Sequence, residues 1–142
     1  YLGQKIQSPS KPVLPPMPTN LRTHVEFAVE QLARSPVEIS DTMRKHQLKL
    51  ADRQCRMSEL SARIQCLVVM LCTSLYGARQ SDEVVRAAAD IMCQDFIRQL
   101  LAKRPTDKYF RDVTELGETI VDGGFRSIAG LEPDQIQMSY DQ

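Results

Sequence analysis

Apolar residues recur at three- and four-residue steps along most of the chain, the signature of helices with one dry face. The first such stripe is Val25, Ala28, Val29, Leu32, Ile39 and Met43. Pro36 falls inside it, and Ser35-Pro36-Val37-Glu38 would itself open a helix well, with proline at the first helical position. The phase from Leu32 to Ile39 is nevertheless unbroken, so the spacing predicts one kinked helix. Its start is expected near Asn20 to Thr23, because Thr23 and Glu26 stand at capping-box spacing. A proline inside a helix costs about 3 kcal/mol, so its surroundings have to hold it.

A second helix is expected from about Asp52, the best local N-cap, after a turn near Lys49 to Ala51. It carries Met57, Leu60, Ile64, Leu67 and Leu71 on one face and is expected to end near Gly77. No glycine or proline marks the preceding turn, and one helix from 21 to 77 fits the periodicity equally. The longest apolar run of the chain, Cys66 to Cys72, lies here. Val68, Val69 and Met70 put apolar groups on the remaining faces, the pattern of a central bundle helix or of one shared between subunits. The run is short of the ~20 predominantly apolar residues that cross a bilayer.

Ser81, followed by Asp82 and Glu83, predicts a third helix with a capping hydroxyl and an acidic first turn. It is expected to reach about Lys103, burying Val84, Val85, Ala88, Ile91, Met92, Phe96 and Leu100 before Pro105 stops it. Thr106 then caps a fourth helix, with the stripe Tyr109, Phe110, Val113, Leu116, Ile120 and Val121, ended by Gly123-Gly124. The expected organisation is a proline-rich extended segment at 1–20, a helical bundle at 21–124 and an irregular tail at 125–142. Four amphipathic helices with short connections predict an all-α, antiparallel up-and-down bundle.

Composition adds little to this picture, but charge does. The 142 residues carry 18 basic and 18 acidic side chains, and zero net charge argues against general nucleic-acid binding. Residues 1–80 are net +5 and residues 106–142 net −5, an asymmetry suited to attraction within the domain or toward another copy. Cys55, Cys66, Cys72 and Cys93 lack zinc-site or C-x-x-C spacing and are expected to be buried free thiols. No secretory signal or membrane-spanning segment is visible, so a non-secreted protein is expected. The chain begins at Tyr1 and opens with five prolines before residue 19, which reads as a linker from an upstream neighbour.

Catalytic chemistry is sparse. Gly123-Gly124 lacks the lysine and helix start that phosphate cradling requires. His24 and His46 show no partner in sequence and are expected to be solvated, and Asp90 and Asp95 sit among several ion-pair partners. The densest charged feature is Arg44, Lys45, Lys49, Arg53, Arg56 and Arg63, opposed by Asp52 and Glu59. It reads either as the wet face of two helices or as a contact for anionic lipid or another anionic partner.

The order of VEFAVEQLARS, RKHQLKLADRQ, SELSARIQCLVVMLCTSLYGAR and AADIMCQDF resembles the C-terminal helical domain of acyl-CoA dehydrogenases of the very-long-chain type. The matching positions are Lys45 and His46, Gln54, Leu60, Leu67 and Met70, Arg79, and Asp90 with Cys93. Gln47 stands where that family has lysine, Asp52-Arg53 where it has Asn-Glu, and Pro36 interrupts a helix that the family runs unbroken.

The resemblance implies a parent enzyme that binds FAD, oxidises an acyl-CoA to the trans-2-enoyl-CoA and passes electrons to an electron-transfer flavoprotein. It places the glutamate base and the flavin contacts upstream, so no catalytic, cofactor-binding or metal residue is assigned here. The implied role is a non-catalytic domain that stabilises the dehydrogenase core and its homodimer, with peripheral membrane contact. The implied location is the cytoplasm or inner membrane in a bacterium, or the mitochondrion in a eukaryote. Val68, Val69 and Met70 are the candidate interface, within the bundle or outward to the core or a second subunit. The competing expectation is a free-standing interaction module whose proline-rich arm recruits a partner.

Overall fold

The first helix begins earlier than its capping pattern suggests. In the computed structural model, which describes residues 13–46 and 54–123, α1 spans Thr19–His46 and α2 Gln54–Arg79. They are followed by α3, Glu83–Leu100, and α4, Asp107–Val121. Thr23 is therefore not a cap. It lies inside α1, and its hydroxyl donates to the Thr19 carbonyl at 3.0 Å. The Pro18 carbonyl accepts from the Arg22 amide at 2.9 Å, so helical bonding starts directly behind the proline cluster. Among the described residues there is no strand.

α1 runs through Pro36 without a break, as the unbroken phase predicts. The proline is exposed, while the preceding Ser35 is buried and its hydroxyl donates back to the Gln31 carbonyl at 3.2 Å. α1 and α2 are separate helices packed side by side, which excludes one helix over 21–77. Their direction follows from two links. Arg63, early in α2, donates to Glu38, late in α1, at 2.6 Å, while Gly77 at the far end of α2 stands over Leu21 at the start of α1. Residues 1–12, 47–53 and 124–142 lie outside the described residues, and with them the expected turn near Lys49 to Ala51, the Asp52 cap and the irregular tail.

α3 returns antiparallel to α2. Its N-cap is Asp82 rather than Ser81, the carboxylate accepting from the Val84 amide at 2.9 Å. The helix closes at Leu100, earlier than Lys103, because Ala102 takes a left-handed conformation with φ +50°. That twist lets the Lys103 amide bond back to the Arg98 carbonyl at 2.9 Å. α4 is capped by Thr106 as expected, with the hydroxyl accepting from the Tyr109 amide at 3.2 Å. Among the described residues the four helices form a bundle in which α1, α2 and α3 pack mutually and α4 packs chiefly against α3.

The dry centre is Ala28, Leu67, Met70 and Cys93, walled by Phe27, Leu32, Leu71, Phe96, Ile97 and Leu100. Within it the Ser74 hydroxyl donates to the Met70 carbonyl at 2.9 Å, and Cys93 Sγ lies 3.1 Å from Ser74 Oγ. That satisfies a buried hydroxyl locally, as a low-dielectric interior demands. Gly77 is also buried, in the last turn of α2, which ends at Arg79. A Cβ there would meet the Ala89 Cβ at 2.6 Å, so this glycine serves close approach of α2 to α3 and not helix termination. α2 itself is long and apolar enough, by length and composition, to cross a membrane, with mean hydropathy 1.4 over its best window. The short apolar run was thus a poor guide to length, because the neutral turns flanking it extend the segment. Leu60, Leu67, Met70, Ser74 and Gly77 on one side of it nonetheless pack into the bundle.

Candidate functional site

The three residues offered as an interface do not share a face. Met70 is fully buried in the core, whereas Val68 and Val69 are 45% and 46% exposed. Helical spacing explains the split. Leu60, Leu67, Met70, Ser74 and Gly77 follow one another at seven, three, four and three residues, and Val68, Val69, Cys72 and Tyr76 fall on the opposite side. Tyr76 is 59% exposed and Cys72 is also exposed. A helix that is apolar all round in sequence is therefore used on one side only, leaving an apolar strip about two turns long open to solvent.

The basic stretch is also divided. Lys49 and Arg53 lie outside the described residues. Arg63 is committed to the α1–α2 contact through Glu38 at 2.6 Å, with Glu59 at 3.9 Å. Arg44 stands 3.8 Å from Asp41, a loose pair one turn away. Lys45 and Arg56 are exposed. An anionic ligand would thus meet Arg44, Lys45 and Arg56, but would compete with Glu38 for Arg63.

The polar cluster that sequence reasoning missed is His24 with Asp90. His24 is buried, not solvated, and its Nε2 lies 2.6 Å from Asp90 Oδ1 across 66 residues of sequence. Gln94 Nε2 donates to the other carboxylate oxygen at 2.9 Å. The carboxylate accepts, so His24 carries its proton on Nε2. Burial alone would push the Asp90 carboxyl up, but the hydrogen bonds from His24, Gln94 and Asn20 and the attraction of His24 hold it below the usual range. His24 Nδ1 is buried with no hydrogen-bond partner among the described residues. No hydroxyl or thiol is therefore linked to it as a nucleophile would be. The pair ties α1 to α3. One sequence signal was available, since His24 sits in phase with Leu21, Val25 and Ala28 on the buried side of α1.

A second carboxylate ties α3 to α4. Asp95 Oδ1 accepts from Arg98 Nη2 at 2.6 Å and from the Tyr109 hydroxyl at 2.8 Å, while the Arg98 guanidinium sits 5.4 Å from the Tyr109 ring centre. The Arg98 hydrogen bond, then that of Tyr109, holds the Asp95 carboxyl below its usual value. Asp90 and Cys93, the matched pair of the resemblance, both turn inward here and are spent on structure. The cysteines are free, but only Cys93 is buried. Cys66 is half-buried, Cys72 is exposed on the outer side of α2, and Cys55 is exposed in the first turn of that helix. No group of His, Cys, Asp or Glu among the described residues could hold a metal ion.

Among the described residues the fold defines a class, an all-α bundle of four helices with an uncovered apolar strip on α2. Compared with known proteins, the chain matches no family model, no curated sequence and no solved structure.

Proposed function

We propose that this chain is the non-catalytic C-terminal helical domain of an FAD-dependent acyl-CoA dehydrogenase of the very-long-chain type. Its work is to pack against the enzyme's own catalytic core and steady the core and its dimer, with any membrane contact secondary. FAD, acyl-CoA and the electron-transfer flavoprotein belong to that core, and no residue of this chain is assigned to them. The reading rests on the ordered sequence resemblance, and one structural observation supports it above others. The strip Val68, Val69, Cys72 and Tyr76 lies opposite the bundle's core, on the helix that carries the matched positions Leu60, Leu67 and Met70. Contiguous apolar surface of this kind marks a protein contact more often than idle surface.

The test is Val69→Asp, made in the 142-residue chain and in the parent enzyme. The chain should keep its helicity, since residue 69 is half out of the bundle, while the parent should lose core docking and dissociate on a sizing column. The reading is overturned if the gene encodes no flavin-binding dehydrogenase of roughly 400 residues upstream. It is equally overturned if the parent assembles normally with the aspartate in place.

A further inference from the structure

α4 presents two faces side by side, a mixed one turned toward α3 and a largely apolar one left open. Tyr109 bonds to α3, and Asp112, Leu116 and Thr119, which share its side of the helix, are half-buried. The neighbouring face, Phe110, Val113, Thr114, Gly117, Ile120 and Val121, is exposed, with Phe110 at 55% and Val121 at 86%. Arg111 and Glu118 stand along its outer edge, and neither makes an ion pair among the described residues. Gly117 adds to the oddity. A Cβ there would meet nothing within 4 Å, so nothing packed around it requires a glycine that costs a helix about 1 kcal/mol relative to alanine.

We propose that this face docks a second copy of the chain, α4 against α4 and antiparallel. Read as a coiled-coil seam, Thr114 and Val121 take a positions and Phe110 and Gly117 d positions, with Arg111 and Glu118 at e and Val113 and Ile120 at g. A two-fold axis near the middle of α4 then sets Phe110 on Val121 of the second copy and Thr114 on its Gly117. Antiparallel pairing puts e beside e and g beside g. Arg111 therefore lies along Glu118 of the second copy, twice by symmetry, while Val113 meets Ile120 on the other flank. A parallel pair would set Glu118 beside Val113 and leave each charge unanswered, so charge decides the direction. The rest of the helix adds little, because Asp107 and Asp112 balance Lys108 and Arg111 in its first half, so the direction rests on the Arg111–Glu118 pairing. The missing side chain at Gly117 lets the two backbones approach near the axis. A contact of one short helix per copy falls below the ~1,200 Å² of stable complexes, so the association is weak and salt-sensitive.

Sedimentation equilibrium on the 142-residue chain, from micromolar to near-millimolar concentration, tests this. The chain should dimerise reversibly. Arg111→Glu or Glu118→Arg alone should weaken the dimer about tenfold, and the double variant should recover to within about threefold. Val121→Asp should leave only monomer, with far-UV circular dichroism unchanged because the side chain is exposed. A chain that stays monomeric throughout overturns the proposal. So does a dimer indifferent to Arg111→Glu, or one that the double variant fails to restore.

Discussion

Replacing Gly77 with alanine adds one methyl group where the structure has no room for it. The new Cβ would stand 2.6 Å from the Ala89 Cβ and 3.5 Å from Leu21 Cδ1. Carbon atoms settle at about 3.5–4.0 Å, so α2 and α3 would have to part by roughly 1 Å. Neither Cβ can rotate away, which places the clash toward the upper part of the ~1–3 kcal/mol range for overpacking. Alanine returns about 1 kcal/mol through helix propensity, leaving a net loss of about 1–2 kcal/mol.

Gly117→Ala is the matched control, the same chemical change at a site with nothing within 4 Å. There only the propensity gain remains, and the chain should become more stable by about 1 kcal/mol. The assay is urea unfolding followed by circular dichroism at concentrations where the chain is monomeric, read as midpoints at constant m. Gly77→Ala should shift the midpoint down and Gly117→Ala up. Adding Ala89→Gly to Gly77→Ala should recover much of the loss, since it removes the other half of the clash. If Gly77→Ala stabilises as Gly117→Ala does, α2 and α3 are not in contact at this point and the described packing is wrong.

Two further predictions follow from the buried groups. Burial pushes the Cys93 thiol up, Ser74 partly offsets this through its hydrogen bond, and the charge of Asp90 adds to the rise. Thiol labelling of the native chain should therefore reach Cys55 and Cys72 first, then Cys66, whose thiol burial also raises, and Cys93 only on unfolding. Rapid native labelling of Cys93 would contradict the core described above. Asp90 has a folded-state pKa below its unfolded value, so its stabilisation is complete above about pH 4 and is lost as pH falls through the lower folded value. Urea midpoints measured at neutral pH and near pH 3 should fall less between the two in Asp90→Asn than in the parent chain. Equal losses would show that the His24–Asp90 link is not formed in solution.

Several features were readable before any coordinates. The four helices, the cap at Thr106 and the continuity of α1 through Pro36 all follow from signals contained within a few residues. Short-range chemistry also misled in places. Thr23 and Glu26 have capping spacing, but helical bonding begins at the Pro18 carbonyl instead. Ser81 is a good cap, yet its neighbour Asp82 holds the Val84 amide. Such competition between adjacent candidates is decided by backbone geometry that composition does not record. His24 looked solvated because its partner lies 66 residues away. Met70 looked like a companion to Val68 and Val69 because a run of apolar residues hides which of them faces inward.

What the sequence alone determined was therefore local: where the chain turns helical, where proline and polar caps interrupt it, and that the segments are amphipathic enough to form a bundle. These depend on torsional preference, hydrogen bonding within one or two turns, and hydrophobic spacing. Only the tertiary structure decided which side of α2 is dry, that Gly77 is a contact point, and that His24 and Asp90 meet. It alone left Val68, Val69 and Tyr76 on α2 and Phe110 and Val121 on α4 open to solvent. The physical reason is that a helix with apolar residues all round has no internal preference for one face. Its neighbours choose that face, through the approach a missing Cβ allows and through pairings between residues far apart in the chain.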